Sequence, residues 1–378
     1  MKIKLVHIAS SHQIGLANQE TQLAIAYKGL SEIDALVVSG EHEQYEGCFE
    51  ILKKNGISNQ IIKGLDVHHD LFRLIREFMK IVNSFRPDIV SVNTNWQLVI
   101  AGIVRHLSKK KFKIIYTIHG FRHNSRFKSL FARCLIGSIL YIFADAINAP
   151  TVYVKNKFSF LARKIKTIPL GEDEIFFLHS ATPDFAKPLN LVFPGVFRFG
   201  KNQEMLIYAF SEYLKLSKDE NCTLFLPGDG ELRTNAMKLA TDLGIADRVS
   251  FPGQLNRQEM LTMYLKCQVA IIPSNDETFG HCIAEPLVMQ RIVLSRNIGL
   301  APDFVVDGKN GFVFSDKSEL IQKLLKVNSM VQDDLISISR AAGLVGTQFN
   351  WKKIAKRHLK ELFEPVLNKS SFAATKTN

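Results

Sequence analysis

Short apolar runs alternate along most of the chain with longer segments whose apolar positions return every three or four residues. Among the short runs, KIKLVHIA, DALVV, PDIVSVN, FKIIYTI, DAINAP and KIKTIPL predict the strands of one unit. LNLVFPG, CTLFLPG, RVSFPG, QVAIIPS and RIVLS predict those of a second. Their apolar character suits strands covered on both faces. The helical periods between them, over 71–85, 202–216 and 232–243 among others, then predict crossovers between parallel strands. The span GEDEIFFLHSATPDFAK, which begins at Gly171, holds neither period and carries Pro183 shortly before Pro188, marking 171–188 as a linker. After it the alternation restarts. The expected fold class is α/β, with two Rossmann-like, doubly wound parallel-sheet domains, 1–170 and 189–349. They are expected to face a central cleft on which the carboxyl ends of both sheets converge and where ligands bind. A basic amphipathic helix over 351–367 follows.

Composition agrees with two packed domains. The chain has 378 residues, 46% hydrophobic and 22% charged, which excludes a disordered protein. Its five cysteines are scattered and form no C-x-x-C pair, so they read as reduced thiols of a cytosolic protein and offer no zinc site. The apolar run in MKIKLVHIASSHQ is too short for a secretory leader and predicts a first buried strand. Leu130 to Ala149 is the most hydrophobic stretch, yet Arg133 and Asp145 interrupt it, short of the roughly 20 apolar residues a membrane helix needs.

The formal charge of +12 is unevenly spread. Residues 1–170 hold 24 Lys and Arg against 12 Asp and Glu, residues 171–349 hold 17 against 22, and residues 350–378 hold 7 against 2. A basic half beside a mildly acidic one points the former toward a polyanion or an anionic membrane surface.

Candidate chemistry lies in loops that follow strands. His119-Gly120 leaves IYTI, and its ring either turns toward a ligand or is satisfied at the strand end. In GVFRFGKN, Arg198 and Lys201 stand on a turn leading into a helix near Asn202. Two cations at a helix amino terminus suit a diphosphate, the alternative being a solvated basic turn. Gly228-Asp229-Gly230 after CTLFLP is a turn that also lets backbone approach a ligand. In DETFGHCIAE, Glu277 precedes the helix that Phe279-Gly280 opens, and Glu285 lies inside that helix. A buried Glu285 needs donors, either ligand hydroxyls or an ion-pair partner. Glu277 is either a ligand-facing acid or an acid favoured by the helix dipole.

Taken in order, GVFRFGKNQEMLIYAF, PGDGELRTNAMKLATDLGIADRVSFPGQLNRQEM, SNDETFGHCIAE and VVDGKNGFVF resemble the retaining GT-B glycosyltransferases of family 4, and the likeness extends over nearly the whole chain. FNWKKIAKRHLKELFE looks like the family's closing helix, which crosses back onto the first domain. The resemblance implies transfer of a sugar from a nucleotide diphosphate donor, a UDP-sugar before a GDP-sugar, to a glycan or lipid-linked acceptor. The anomeric configuration would be retained, with no bound metal and no cofactor. It implies that Arg198 and Lys201 neutralise the leaving diphosphate, that Glu277 faces the donor sugar, and that Glu285 binds the ribose hydroxyls. The backbone of Phe279, Gly280, His281 and Cys282, with Gly228, would cradle sugar and phosphate. His119 would reach the donor sugar from the first domain, and Gly15 would lie near the phosphates and the acceptor.

There are departures from the family pattern. SSHQIGLANQE has one glycine where many members have two, and Gln290 and Ile292 stand where a glycine and a proline are usual. Two other functions fit the architecture, a nucleotide-sugar epimerase and a two-lobed binding protein without chemistry. A dehydrogenase is excluded because no G-x-G-x-x-G follows either first strand. KKKFK at 109–113 and the basic, apolar stretch 121–143 suit a membrane surface or a solvated helix face. The resulting expectation is a cytoplasmic enzyme, peripheral on the inner face of the cytoplasmic membrane, that builds bacterial surface polysaccharide such as O-antigen, capsule or lipopolysaccharide. No nucleic-acid module is present.

Overall fold

The computed structural model describes residues 2–9, 14–41, 46–65, 70–119, 126–186, 188–217 and 221–368, leaving aside the side chains of 14–16, 46 and 126–134. The chain forms two compact units, 1–171 with 351–378, and 172–350.

In the first unit the strands are β1 (Ile3–Ala9), β2 (Ile33–Ser39), β3 (Ser58–Ile61), β4 (Ile89–Val92), β5 (Lys113–Thr117), β6 (Ala146–Ala149) and β7 (Ile165–Thr167). They pair in parallel in the order β3-β2-β1-β4-β5-β6-β7. Crossovers run through α1 (Ile14–Lys28), α2 (Glu46–Lys54), α3 (Leu71–Phe85), α4 (Asn95–Leu107), α5 (Arg126–Phe143) and α6 (Val152–Lys157). The predicted helix over 71–85 is α3. Its buried stripe Leu74, Phe78, Ile81 and Val82 packs into the core that Val6, Ile8, Val90 and Ile114 supply from the sheet. No described helix is long and apolar enough to cross a membrane.

The second unit has β8 (Leu191–Val192), β9 (Leu224–Phe225), β10 (Val249–Ser250), β11 (Val269–Ile272), β12 (Ile292–Ser295) and β13 (Phe312–Val313), all parallel in the order β10-β9-β8-β11-β12-β13. Its helices are α7 (Glu174–Leu178), α8 (Gln203–Ser217), α9 (Arg233–Asp242), α10 (Arg257–Lys266), α11 (His281–Val288), α12 (Ala301–Phe304), α13 (Lys317–Ser329) and α14 (Gln332–Gly346). The span expected to be a linker carries α7, capped by Asp173 with Phe176 buried, and is tied to this unit. Ser180 donates to the Val288 carbonyl, and the buried Arg291 donates to the carbonyls of Ala181, Cys267 and Met289. Proline spacing did not show this because the Ser180 hydroxyl and the Ala181 carbonyl reach partners 108 and 110 residues away in the chain.

In both sheets the strand order reverses next to the first strand, between β1 and β4 and between β8 and β11. The crossovers diverge there, and loops at the carboxyl ends leave a crevice for ligands. In the second unit the two loops concerned are 193–202 and 273–280.

The chain then returns to the first unit as α15 (Trp351–Arg357). The absence of a side chain at Gly171 is what admits Trp351, whose Cδ2 would stand 2.3 Å from a Cβ there. Arg357 donates to the Thr167 carbonyl, and Tyr27 of α1 lies 2.6 Å from Nδ1 of the buried His358. Burial, with His7 nearby, pulls His358 from its ordinary 6.5 down to about 3. A histidine neutral in the fold but free to charge when unfolded stabilises the protein fully above its unfolded pKa and loses that contribution as pH falls toward the folded one. Between pH 7 and pH 5 the loss should be about 2 kcal/mol. Guanidinium unfolding at the two pH values checks it, and His358→Gln should remove most of the difference.

Candidate active site

The loop after β8 turns sharply at Gly200, with φ of 89°, and at Asn202, with φ of 59°. It is locked to the loop after β11 by the Asn275 amide, which donates to the Gly200 carbonyl at 2.8 Å, and by Asn202 Nδ2, which donates to Asn275 Oδ1 at 2.7 Å. This places Lys201 Nζ 2.5 Å from Glu277 Oε1, both side chains being mostly buried. Burial works to discharge Lys201, but the Glu277 carboxylate beside it holds it above the ordinary lysine range, and the charge of Arg198 pushes the other way. Arg198 is therefore near enough to be felt, and among the described residues its side chain has no hydrogen bond or ion pair.

Gly280 opens α11 at φ 95°, and no side chain caps the helix. An uncapped amino terminus leaves first-turn N–H groups and partial positive charge facing outward. Two further contacts fix this end. Cys282 Sγ donates to Glu277 Oε1 at 3.8 Å, and the Leu300 amide donates to the Phe279 carbonyl at 2.8 Å. Burial and the Glu277 carboxylate push the Cys282 thiol well above its usual range, so it stays protonated. Gly228 serves close packing: a Cβ there would lie 2.2 Å from the Gly195 carbonyl oxygen, so the turn after β9 can press against the loop after β8.

Inside α11, Glu285 already has protein donors. Arg257 Nη1 lies 2.5 Å from its Oε1, and Tyr264 donates to its Oε2 at 2.7 Å. Next to it His281 Nδ1 meets Glu172 Oε1 at 2.7 Å, and the Phe279 ring stands edge-on to the imidazole. Burial raises the Glu172 carboxyl to about 7. It would lower His281, but Glu172 outweighs it and holds His281 above its ordinary range, so the pair keeps a shared proton. Glu172, His281 and Glu285 offer ligand atoms within 4.8 Å of one another. With Arg257 and Tyr264 already on Glu285, a cation there would have to displace a guanidinium.

In the first unit His119 leaves β5 with its Nε2 3.0 Å from Glu20 Oε1 and 3.3 Å from Asn93 Oδ1. Gly15 belongs to the first turn of α1, and its surroundings lie outside the described residues, as does Gly120.

The second unit thus brings together Lys201, Glu277, Gly280 and Cys282, with Arg198 close by, and places Glu285 and His281 in an adjoining cluster. Sequence reasoning missed Arg257, Tyr264, Glu172 and Glu20. All four act across large separations in the chain, 109 residues for Glu172 and His281, and nothing local marks them.

Residues 176–340 match the family model described as glycosyl transferases group 1. A D-inositol 3-phosphate glycosyltransferase of Corynebacterium diphtheriae is 27% identical over 173 residues, 44% of this chain and 40% of that one. The chain spans well under half the length of the curated relatives it matches first. Among solved structures, Anabaena Alr3699/HepE in complex with UDP and glucose superposes with a TM-score of 0.76 at 19% identity, covering 96% of this chain and 100% of that one. The apo form of the lipopolysaccharide outer core galactosyltransferase WaaB gives 0.72 at 17% identity, covering 97% and 100%. The fold is that of the GT-B glycosyltransferases.

Proposed function

We propose that this GT-B protein, whose second unit carries the match to glycosyl transferases group 1, is a retaining glycosyltransferase. It would move a sugar from a nucleotide diphosphate donor, UDP-linked before GDP-linked, to a glycan or lipid-linked acceptor of bacterial surface polysaccharide. The observation that carries the reading is the contact of Lys201 with Glu277 at the uncapped amino end of α11. Departure of a nucleoside diphosphate leaves negative charge, and fixed cations with N–H dipoles stabilise it in the transition state without reorganising. Lys201, Arg198 and the first turn of α11 supply them. Glu277 faces the donor sugar and steadies positive charge at its anomeric carbon. Glu285 keeps acceptor capacity for ribose hydroxyls, because a carboxylate takes about four hydrogen bonds and, among the described residues, Arg257 and Tyr264 are the donors placed on it. His119 keeps the role the resemblance assigns it.

In the front-face route the bond from anomeric carbon to phosphate oxygen breaks while the acceptor oxygen bonds to the same face. The acceptor proton passes to the leaving phosphate. The purified protein is to be incubated with a panel of nucleotide sugars and a polyprenyl- or lipid-linked saccharide, following nucleotide release and the anomeric configuration of the product by NMR. Inversion, or interconversion of the donor without acceptor, would defeat the proposal.

Membrane association is also proposed, on narrower grounds than the charge count offered. Lys110 pairs with Asp88, Lys111 donates to carbonyls at the end of α4, and Lys113 faces Asp145, so three of the four lysines at 109–113 secure strand and helix ends. Lys164 likewise donates to the carbonyls of Tyr141 and Ala144 at the end of α5, so what remains is Lys109 and a set of exposed apolar side chains, Leu107, Leu135, Tyr141 and Ile142. Flotation with vesicles rich in phosphatidylglycerol should carry the protein upward at physiological salt, less so after Ile142→Asp. Absence of flotation at every lipid charge removes this part.

A further inference from the structure

Both partners of His119 Nε2 are acceptors. Glu20 Oε1 is a carboxylate oxygen. Asn93 is oriented by its Nδ2, which donates to the Ile8 carbonyl at 2.9 Å and to Glu20 Oε2 at 2.8 Å, so its Oδ1 is the atom that faces the imidazole. Asn93 is further held by its own amide, which donates to Gln97 Oε1 at 3.0 Å. Glu20, Asn93 and His119 therefore close a ring in which Nε2 must carry a proton, and Nδ1 is the nitrogen left for a ligand.

Glu20 is 1% exposed, and on its other side His7 Nε2 lies 2.5 Å from Oε2, close but outside hydrogen-bond alignment. Burial alone would raise the Glu20 carboxyl, but His7 and His119 outweigh it and hold it at about 2. Among the described residues His358 and Tyr27 also act on it or are acted on by it, and both stay neutral. An apolar residue would pack at this place in α1 without the several kcal/mol that desolvating a charge costs. A carboxylate kept charged there is best accounted for by what it does to the imidazole.

We propose that Glu20 is a positioning residue that fixes the tautomer and ring orientation of His119, with Asn93 as its second anchor. The inference rests on the proposed role of His119 in sugar transfer, and its test has a readout that does not. In the full-length protein, Glu20→Gln should mix the tautomers of His119, followed by nitrogen-15 NMR of the imidazole. In the transfer assay it should lower kcat on the order of 10- to 100-fold with donor KM within about twofold. In the His119→Ala background it should cost nothing further.

Should Glu20→Gln fold poorly, Asn93→Ala removes the other anchor and should lower kcat by a smaller factor in the same way. An unchanged His119 tautomer in a folded variant overturns the inference, as do losses that multiply in the double variant. If His119→Ala retains parental activity, the assignment of His119 fails instead, and the NMR comparison alone decides whether Glu20 governs the imidazole.

Discussion

Glu277→Ala should lower kcat by about a thousandfold while changing UDP affinity by less than about threefold. The asymmetry follows from the contact that defines the site. Glu277 holds Lys201 at 2.5 Å, so its removal takes away the acid proposed to face the sugar and at the same time frees the ammonium for phosphate. Lys201→Ala should behave differently, weakening UDP binding and turnover together, because it removes the cation proposed to serve the diphosphate both before and after the bond breaks. Glu277→Gln separates charge from shape. It keeps the side chain's size and can still accept from Lys201, so a loss as deep as that of the alanine variant assigns the effect to the carboxylate charge. Isothermal titration with UDP, run beside steady-state kinetics on each variant, makes the comparison. Parental kcat in Glu277→Ala would remove the assignment, and an equal fall in UDP affinity and kcat would reduce Glu277 to a support for Lys201.

The fold was largely legible because both sheets are buried on two faces, and such strands show as apolar runs wherever they occur. The strands that escaped are edges. β3 reads SNQI and is mostly exposed, so it carries no hydrophobic pattern, and β13 is a single apolar pair, Phe312-Val313, directly behind the turn residues of DGKNG. Helix periods placed α8 and α9 within one residue of their ends, as amphipathic stripes do when they cover a sheet.

The site was legible in its charges and illegible in their partners. Arg198, Lys201, Glu277 and Glu285 stand at positions whose order along the chain carries information. Arg257, Tyr264, Glu172 and Glu20 become visible only when distant segments meet. Gln290 shows the same limit from another side. It stands where the family usually has glycine, and the fold does ask for a left-handed residue there, with φ of 61°. The strain is offset by Thr182, which donates to its Oε1, by its own donation to Ser180, and by the missing side chain of Gly343, where a Cβ would lie 2.5 Å from its Cγ.

Arg257→Ala tests the cluster behind the helix, and its expected effect is on stability. Breaking a fully buried ion pair costs about 3–5 kcal/mol, because the surviving charge is left uncompensated. Glu285 keeps only 7% of its side-chain exposure but Arg257 keeps 38%, so water screens part of the loss and about 2–3 kcal/mol is expected. Glu285→Gln in the same background identifies the cause, because it removes the stranded charge and should recover most of the deficit, both variants being followed by guanidinium unfolding. A deficit that Glu285→Gln leaves in place would mean that Arg257 contributes by packing over the Phe176 ring, 5.9 Å away, instead of by charge. Tyr264 keeps an acceptor oxygen at position 285, carboxylate or amide, in every variant, so the comparison isolates the guanidinium.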